Sequence, residues 1–304
     1  MSNVPSRCRK RVRCTRPSFV FSSKFCDNTV MSILITKADG TKEKFDVAKL
    51  ENSLKKAGAN SKVVTDIIES VQNDLVDGIT TKEIYHRAFD LLHKEEKPIA
   101  LNYSLKRAIM ELGPSGFPFE KFIAEIFKYR GYTAETGKIA KGFCVEHEVD
   151  VVAWNADKLI MCEAKFHNDP GMKSDLKIAL YVKARFDDLR KMTFKYGKER
   201  RLDEGWLVTN TKFSSTAIEY GSCQGGLIMI GWNYPPKGNL HDMVLEAKLH
   251  PVTCLTSLTG REKKFLLQQG LVLCKSIIEN PGVLPLMGLS PVKAKKVMEE
   301  INLL

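Results

Sequence analysis

The stretch from His147 to Lys165 of this 304-residue chain, HEVDVVAWNADKLIMCEAK, sets two carboxylates and a lysine among apolar residues. Two apolar runs, VDVVAW and KLIMCEA, flank the polar turn Asn155-Ala156-Asp157, which predicts two paired strands. Asp150 falls on the first strand. Glu163 and Lys165 lie two apart on the second, so strand alternation points both to one face. Carboxylates are hard oxygen ligands suited to Mg2+, and a lysine beside them can stabilise negative charge that develops during a reaction. The plain alternative is an internal ion pair. Such pairs add little net stability, so three charged residues on core-like strands read better as chemistry. Glu148 shares the face of Asp150 and is a candidate to hold a metal-bound water. His147, three positions away, faces the other side of a regular strand and is at best a substrate contact. His167, Asp169 and Asp175 follow in the polar loop HNDPGMKSD and are candidates to line the same cleft.

The flanking elements position this set. FEKFIAEIFKYRGY predicts a helix with Phe119, Phe122, Ile123, Ile126 and Phe127 on one apolar face and Gly131 closing it. Glu120 sits at its start, where a carboxylate is favoured by the helix dipole whether or not it does chemistry. A strand near 132–136 leads into the two central strands. After the polar loop come the helix LKIALYVKARFDDLRKM, the strand GWLVTNT, the helical FSSTAIEYG and a last strand GLIMIGW. Tyr181 and Lys183 on the long helix are candidate phosphate contacts. From Lys183 to Arg201 there are eight basic residues against three acids, a candidate phosphate-tracking face whose alternative is an ordinary solvated surface.

The order helix, three strands, helix, strand, helix, strand, with Asp150 and Glu163-Ala164-Lys165 on neighbouring strands, resembles the PD-(D/E)xK nuclease core, in particular that of the restriction endonuclease Mrr family. Phe119-Glu120 and VTNTKFSSTA also match; the usual Pro before the Asp is Val149 here. The resemblance implies a metal-dependent DNA endonuclease. Asp150, Glu163, Lys165 and Glu120 would be catalytic. Asp150, Glu163 and the backbone carbonyl of Ala164 would hold Mg2+, and DNA would be the substrate, in restriction or defence against foreign DNA.

Residues 31–112 form a unit of their own. SILITKADGTKEKFD predicts a hairpin turning at Asp39-Gly40. Asp46 reads as the N-cap of a helix ending near Gly58. A second helix carries Val63, Val64, Ile67, Ile68 and Val71. Thr81 is expected to cap a third, and a fourth spans about 100–112 before Gly113-Pro114. The order K-x-D-G, Glu, Phe-Asp, Lys and the later GITTKEI resembles the ATP-cone, the small nucleotide-sensing domain of ribonucleotide reductases and of the repressor of their genes. Carried over by position, the resemblance puts Lys37, Glu43, Lys49 and Thr81 beside ATP or dATP, with Lys106 or Arg107 adding to them. Lysines suit phosphate charge, and a threonine at a helix start lies beside free backbone N–H groups. Ala38 replaces the Arg that often follows the first Lys.

The formal charge of +11 suits a polyanionic partner. Residues 1–30 supply +6 of it, from seven Lys/Arg and one Asp, so the rest is only mildly basic. That leading stretch reads as a nucleic-acid-binding arm, a transit peptide, or an upstream extension with Met31 as the start; the abrupt change at MSILITKADG favours the last. Eight scattered cysteines without a CxxC pair support neither a zinc site nor a disulfide framework, and a reducing cytoplasm is the expected compartment. No apolar run reaches the roughly 20 residues of a membrane span. Residues 236–304 read as helical. GVLPLMGLSPVKAKKVMEEI resembles half of a helix-hairpin-helix element, with Gly288-Leu289-Ser290 as the hairpin and Lys293, Lys295 and Lys296 beside it.

The expected fold is therefore α/β in three parts. A mostly helical ATP-cone with a β-hairpin (31–112) precedes a restriction-endonuclease-like mixed β-sheet flanked by helices (113–235) and a small helical region (236–304). The expected function is an endonuclease regulated by ATP or dATP, working as a homo-oligomer on DNA. The rival is a nucleotide-sensing DNA-binding regulator with an inactive nuclease-like fold.

Overall fold

The structure is a computed structural model, and it describes residues 33–304; the expectations for residues 1–30 and for Met31 lie outside that range. The chain opens with the short hairpin β1 (Leu34–Thr36) and β2 (Lys42–Lys44). The helices α1 (Val47–Lys56), α2 (Ser61–Asn73), α3 (Thr81–Glu95) and α4 (Lys97–Met110) follow. Asp46 caps α1 as expected, accepting from the Ala48 N–H. The cap of α3 is Thr80 rather than Thr81. Glu83, three positions on, returns its carboxylate to the Thr80 N–H while the Thr80 hydroxyl accepts from Glu83, and this reciprocal box moves Thr81 to the first helical position. Helix α4 begins three residues before the expected Ala100, because Pro98 is tolerated in a first helical turn.

Helix α5 (Phe117–Tyr129) then packs on a five-stranded mixed sheet. Its strands are β3 (Thr133–Lys141), β4 (Glu146–Trp154), β5 (Leu159–Lys165), β9 (Glu204–Thr209) and β11 (Leu227–Ile230), in the order β11-β9-β5-β4-β3. The first three pair antiparallel, while β5, β9 and β11 run parallel. Between β5 and β9 lie the two-residue β6 (Lys173–Ser174), α6 (Leu176–Leu189) and a small hairpin of β7 (Phe194–Tyr196) and β8 (Lys198–Arg200). The two-residue β10 (Lys212–Phe213) pairs with β6 and leads into α7 (Ser215–Gln224). The sheet is covered on both faces, so its central strands carry near-continuous apolar runs, Val151–Trp154 on β4 and Leu159–Cys162 on β5, interrupted by the charged candidates Asp150, Glu163 and Lys165. Val151, Ala153, Ile160 and Cys162 meet α5. Val152, Leu159 and Met161 meet Ala179, Val182 and Phe186 of α6.

The C-terminal part is helical: α8 (Leu240–Glu246), a 3₁₀ turn at Val252–Cys254, α9 (Gly260–Gln268), α10 (Cys274–Glu279), α11 (Val283–Leu286) and α12 (Pro291–Ile301). Helix α4 serves three cores. Its Ala100 packs within the N-terminal helices, Leu105 and Ile109 join the core beneath the sheet, and Leu101 and Ala108 join the C-terminal core. No helix among the described residues is long and apolar enough to cross a membrane.

Candidate active site and nucleotide cleft

The β4–β5 register sets Val151 opposite Cys162, which brings Asp150 and Glu163 next to each other at the end of the pairing. Asp150 Oδ2 accepts a 2.7 Å hydrogen bond from the backbone N–H of Ala164, so it is fixed to the motif strand through the main chain. Burial raises the Asp150 pKa to about 7; the Glu163 charge and, more weakly, that of Glu120 push the same way against the Ala164 N–H and Arg185. Glu120, in the first turn of α5, is also held above the usual carboxylate range, by burial and then by the charges of Glu148 and Glu163. The four acids Glu120, Glu148, Asp150 and Glu163 therefore share one electrostatic neighbourhood.

Glu163 is buried, 8% exposed. Tyr181 donates its hydroxyl to Glu163 Oε1 at 2.7 Å, and Arg185 pairs with Oε2. Arg185 also donates to the Glu148 carbonyl at 3.0 Å. Tyr181 and Arg185 are four apart on α6 and present one face to the strand. Sequence reading gave Tyr181 a phosphate contact and gave Arg185 no individual role; the i, i+4 spacing opposite a buried acid was the signal available. The side chain of Lys165, half-buried at the end of β5, makes no hydrogen bond or ion pair among the described residues. Its charge is felt by His167, whose pKa is lowered by burial and then by Lys165.

Other candidates are engaged in structural contacts. His147 is 2.9 Å from Asp188, whose carboxylate also accepts from the Cys144 N–H. Lys183 is paired with Asp187. Asp175 caps α6 and Asp169 accepts from the Gly171 N–H, both within turns. His167 contacts the Ser174 hydroxyl at 2.9 Å. In the helical hairpin, Ser290 caps α12 and Lys293 pairs with Glu262.

No three His, Cys, Asp or Glu side chains among the described residues are gathered closely enough to hold an ion as they stand. The chemistry of the donor set nonetheless fits a hard divalent cation. Asp150 and Glu120 carry charge that their surroundings oppose, and a cation would offset it.

In the N-terminal part, Lys37 and Lys49 both reach Glu43, at 2.6 and 3.2 Å. Lys37, Thr81, Lys106 and Arg107 line a cleft of about 690 Å³, while Lys49 and Lys106 line an adjoining one of about 380 Å³. Of the four residues expected to meet a nucleotide, Lys37 and Thr81 line the larger cleft, Lys49 lines the smaller one, and Glu43 lines neither but pairs with both lysines. Two cysteines that sequence spacing could not relate, Cys254 and Cys274, are buried with their sulfurs 3.9 Å apart.

Comparison with known proteins gives two family matches, an ATP cone domain over residues 33–111 and an AF1548-like, C-terminal domain over 250–304. An uncharacterised protein of Archaeoglobus fulgidus is 37% identical over 180 residues, which is 59% of this chain and 97% of that protein. The crystal structure of AF1548, described as a protein of unknown function, is similar at 33% identity with a TM-score of 0.50, over 62% of this chain and 97% of that one. A repair endonuclease from Pyrococcus abyssi aligns at 20% identity and a TM-score of 0.28, over 38% of this chain and 46% of its own. The MspJI restriction endonuclease in complex with a 27-mer oligonucleotide aligns at 15% and 0.25, over 63% and 43%. At those scores neither adds to the geometry above.

Proposed function

This chain belongs to the AF1548-like family and carries an ATP cone at its N-terminal end, and we propose that it is a metal-dependent DNA endonuclease of the Mrr-like PD-(D/E)xK kind, regulated by ATP or dATP at the cone. The observation that carries the reading is the bond from the Ala164 N–H to Asp150, which locks the acid of one strand onto the Glu163-Ala164-Lys165 strand beside it. Asp150 and Glu163, with the Ala164 carbonyl, would hold Mg2+, and Glu120 would add an outer carboxylate. The ion would polarise the scissile phosphate and make water a stronger nucleophile near neutral pH.

The remaining roles fall to the chain itself. Lys165, whose side chain has no partner among the described residues, stabilises negative charge on the phosphoryl oxygens as it develops. Tyr181 and Arg185 hold Glu163 in one rotamer through both of its oxygens. The Asp150 carboxyl, with its pKa near 7, loses its proton when a cation or a rise in pH favours the charged form. DNA and nucleotide are the partners this reading requires, in a homo-oligomer of the cytoplasm.

A second reading, a nucleotide-sensing DNA-binding regulator without cleavage, draws on the engagement of both Glu163 oxygens. Incubation of supercoiled plasmid, methylated and unmodified, with Mg2+ and with or without ATP separates the two. The endonuclease reading expects nicked or linear product from wild type and none from Lys165→Ala. Equal behaviour of the two proteins on both substrates supports the regulator.

A further inference from the structure

The 690 Å³ cleft is not walled by the cone alone. Lys37, Thr81 and Lys106 stand on one side; Pro170, Gly171 and Lys212 stand on the other. Pro170 and Gly171 belong to the loop that leaves β5 just after Lys165, and Lys212 begins β10. The two sides touch. A β-carbon added at Gly171 would lie 3.1 Å from the Asp39 side chain, so the hairpin turn of the cone abuts that loop.

The charges in the cleft are unevenly matched. Lys37 is paired with Glu43 and Arg107 with Glu111. Lys106 and Lys212 make no ion pair among the described residues, and they repel each other. Burial pushes the Lys106 amine below the usual lysine range, and the Lys212 charge adds to this. The acid whose charge Lys212 meets is Asp39, whose Oδ1 already accepts from the backbone N–H and the hydroxyl of Thr41. Two facing ammonium groups across an open cleft suit a ligand with several negative charges in a row.

We propose that a nucleoside triphosphate bound by the cone spans this cleft, with Lys106 and Lys212 gripping its phosphates from opposite sides, so that the sheet-bearing part of the chain completes the nucleotide site. The proposal rests on the nucleotide-binding reading of the cone and adds the means by which occupancy reaches the carboxylate cluster. Lys212 pairs with Lys173 in the β10–β6 ladder. Asn210, two residues before it, exchanges hydrogen bonds with His167, accepting from its N–H and donating to its carbonyl, each at 2.8 Å. Thr209 pairs with Lys165 across β9 and β5. A phosphate held at Lys212 therefore restrains the segment that carries Lys165.

Calorimetric titration of the full chain with ATP and with AMP tests this, using wild type, Lys212→Ala, Lys212→Arg and Lys37→Ala. Lys212 is exposed, so its truncation leaves the fold intact, which a thermal melt verifies. Lys212→Ala is expected to weaken ATP about ten-fold, the worth of one charge-assisted hydrogen bond, with a smaller effect on AMP and recovery in Lys212→Arg. Hydrogen exchange is expected to show ATP-dependent protection of amides 166–174 in wild type and less in Lys212→Ala. If Lys212→Ala binds ATP as wild type does while Lys37→Ala does not, the composite site is overturned and the cone reading stands. If wild type binds no ATP, both fall.

Discussion

Replacing Asp150 by Asn should stabilise the protein, and should do so only where the carboxyl would otherwise be charged. The neutral amide keeps an oxygen for the Ala164 N–H. It removes a charge that burial and the neighbouring acids oppose, the effect that carries the Asp150 pKa from an ordinary 3.8 to about 7. A carboxyl whose folded pKa lies above its unfolded value binds its proton more tightly in the folded state. Folding is therefore penalised progressively as pH rises from about 4 to about 7, and the full penalty holds above that. At roughly 1.4 kcal/mol per pH unit the penalty approaches roughly 4 kcal/mol, an upper bound because Glu163 and Glu120 relax when Asp150 is neutral. Thermal and urea unfolding of wild type and Asp150→Asn at pH 5 and pH 8, without divalent ions, reads this directly. The variant should be the more stable at pH 8, with the gap shrinking toward pH 5. Mg2+ should then close the pH 8 gap by stabilising wild type alone, since a ligand that binds only the folded state raises its stability by mass action. A gap that does not depend on pH, or a less stable variant at pH 8, refutes the claim that Asp150 is held in an unfavourable charge state.

Three further outcomes follow from the same geometry. Lys165→Ala should abolish plasmid cleavage in Mg2+ yet change stability by less than about 0.5 kcal/mol, because the side chain makes no ion pair among the described residues; a large drop in melting temperature would assign it a structural role. Arg185→Met leaves Glu163 buried without its charged partner, which should cost about 3–5 kcal/mol in a urea melt, part of it recovered by millimolar Mg2+; an unchanged melt contradicts the pairing. Leu54→Ala in the fully buried core of the N-terminal helices should cost about 2–5 kcal/mol and weaken ATP binding by the same construction of the cone, both measurable on the full chain.

The sequence made the strands and the acids legible because both rest on local rules. Alternation placed Glu163 and Lys165 on one face, and the Asn155–Asp157 turn fixed the β4–β5 pairing. Long-range partners were not legible. The i, i+4 spacing of Tyr181 and Arg185 marks a shared face of α6 but does not say that this face meets Glu163, since that contact depends on how α6 crosses the sheet. Lys212 is a surface lysine in sequence and a cleft wall only because β10 pairs with β6. The Thr81 cap was misplaced by one residue, a choice between adjacent threonines that the side chain of Glu83 decides. The buried pair Cys254 and Cys274 escaped because they stand 20 positions apart in the chain, with helix and turn between them.

The position of α4 bears on how a nucleotide signal could travel at all. Its Lys106 lines both clefts, its Leu105 and Ile109 sit in the core beneath the sheet, and its Leu101 and Ala108 sit in the C-terminal core. Thr253 donates its hydroxyl to the Ala108 carbonyl at 2.6 Å, pinning the helix to the AF1548-like C-terminal segment. Protein interiors are packed without slack, so a nucleotide that shifts α4 must repack at least two cores beyond its own site. The Lys212 route asks less: it bears on an exposed side chain and the loop 168–173, with Phe213 and Ser174 left in place as the buried anchors of the short β10–β6 ladder. The lower cost of that route is the physical reason to look first at residues 166–174 for the response to ATP.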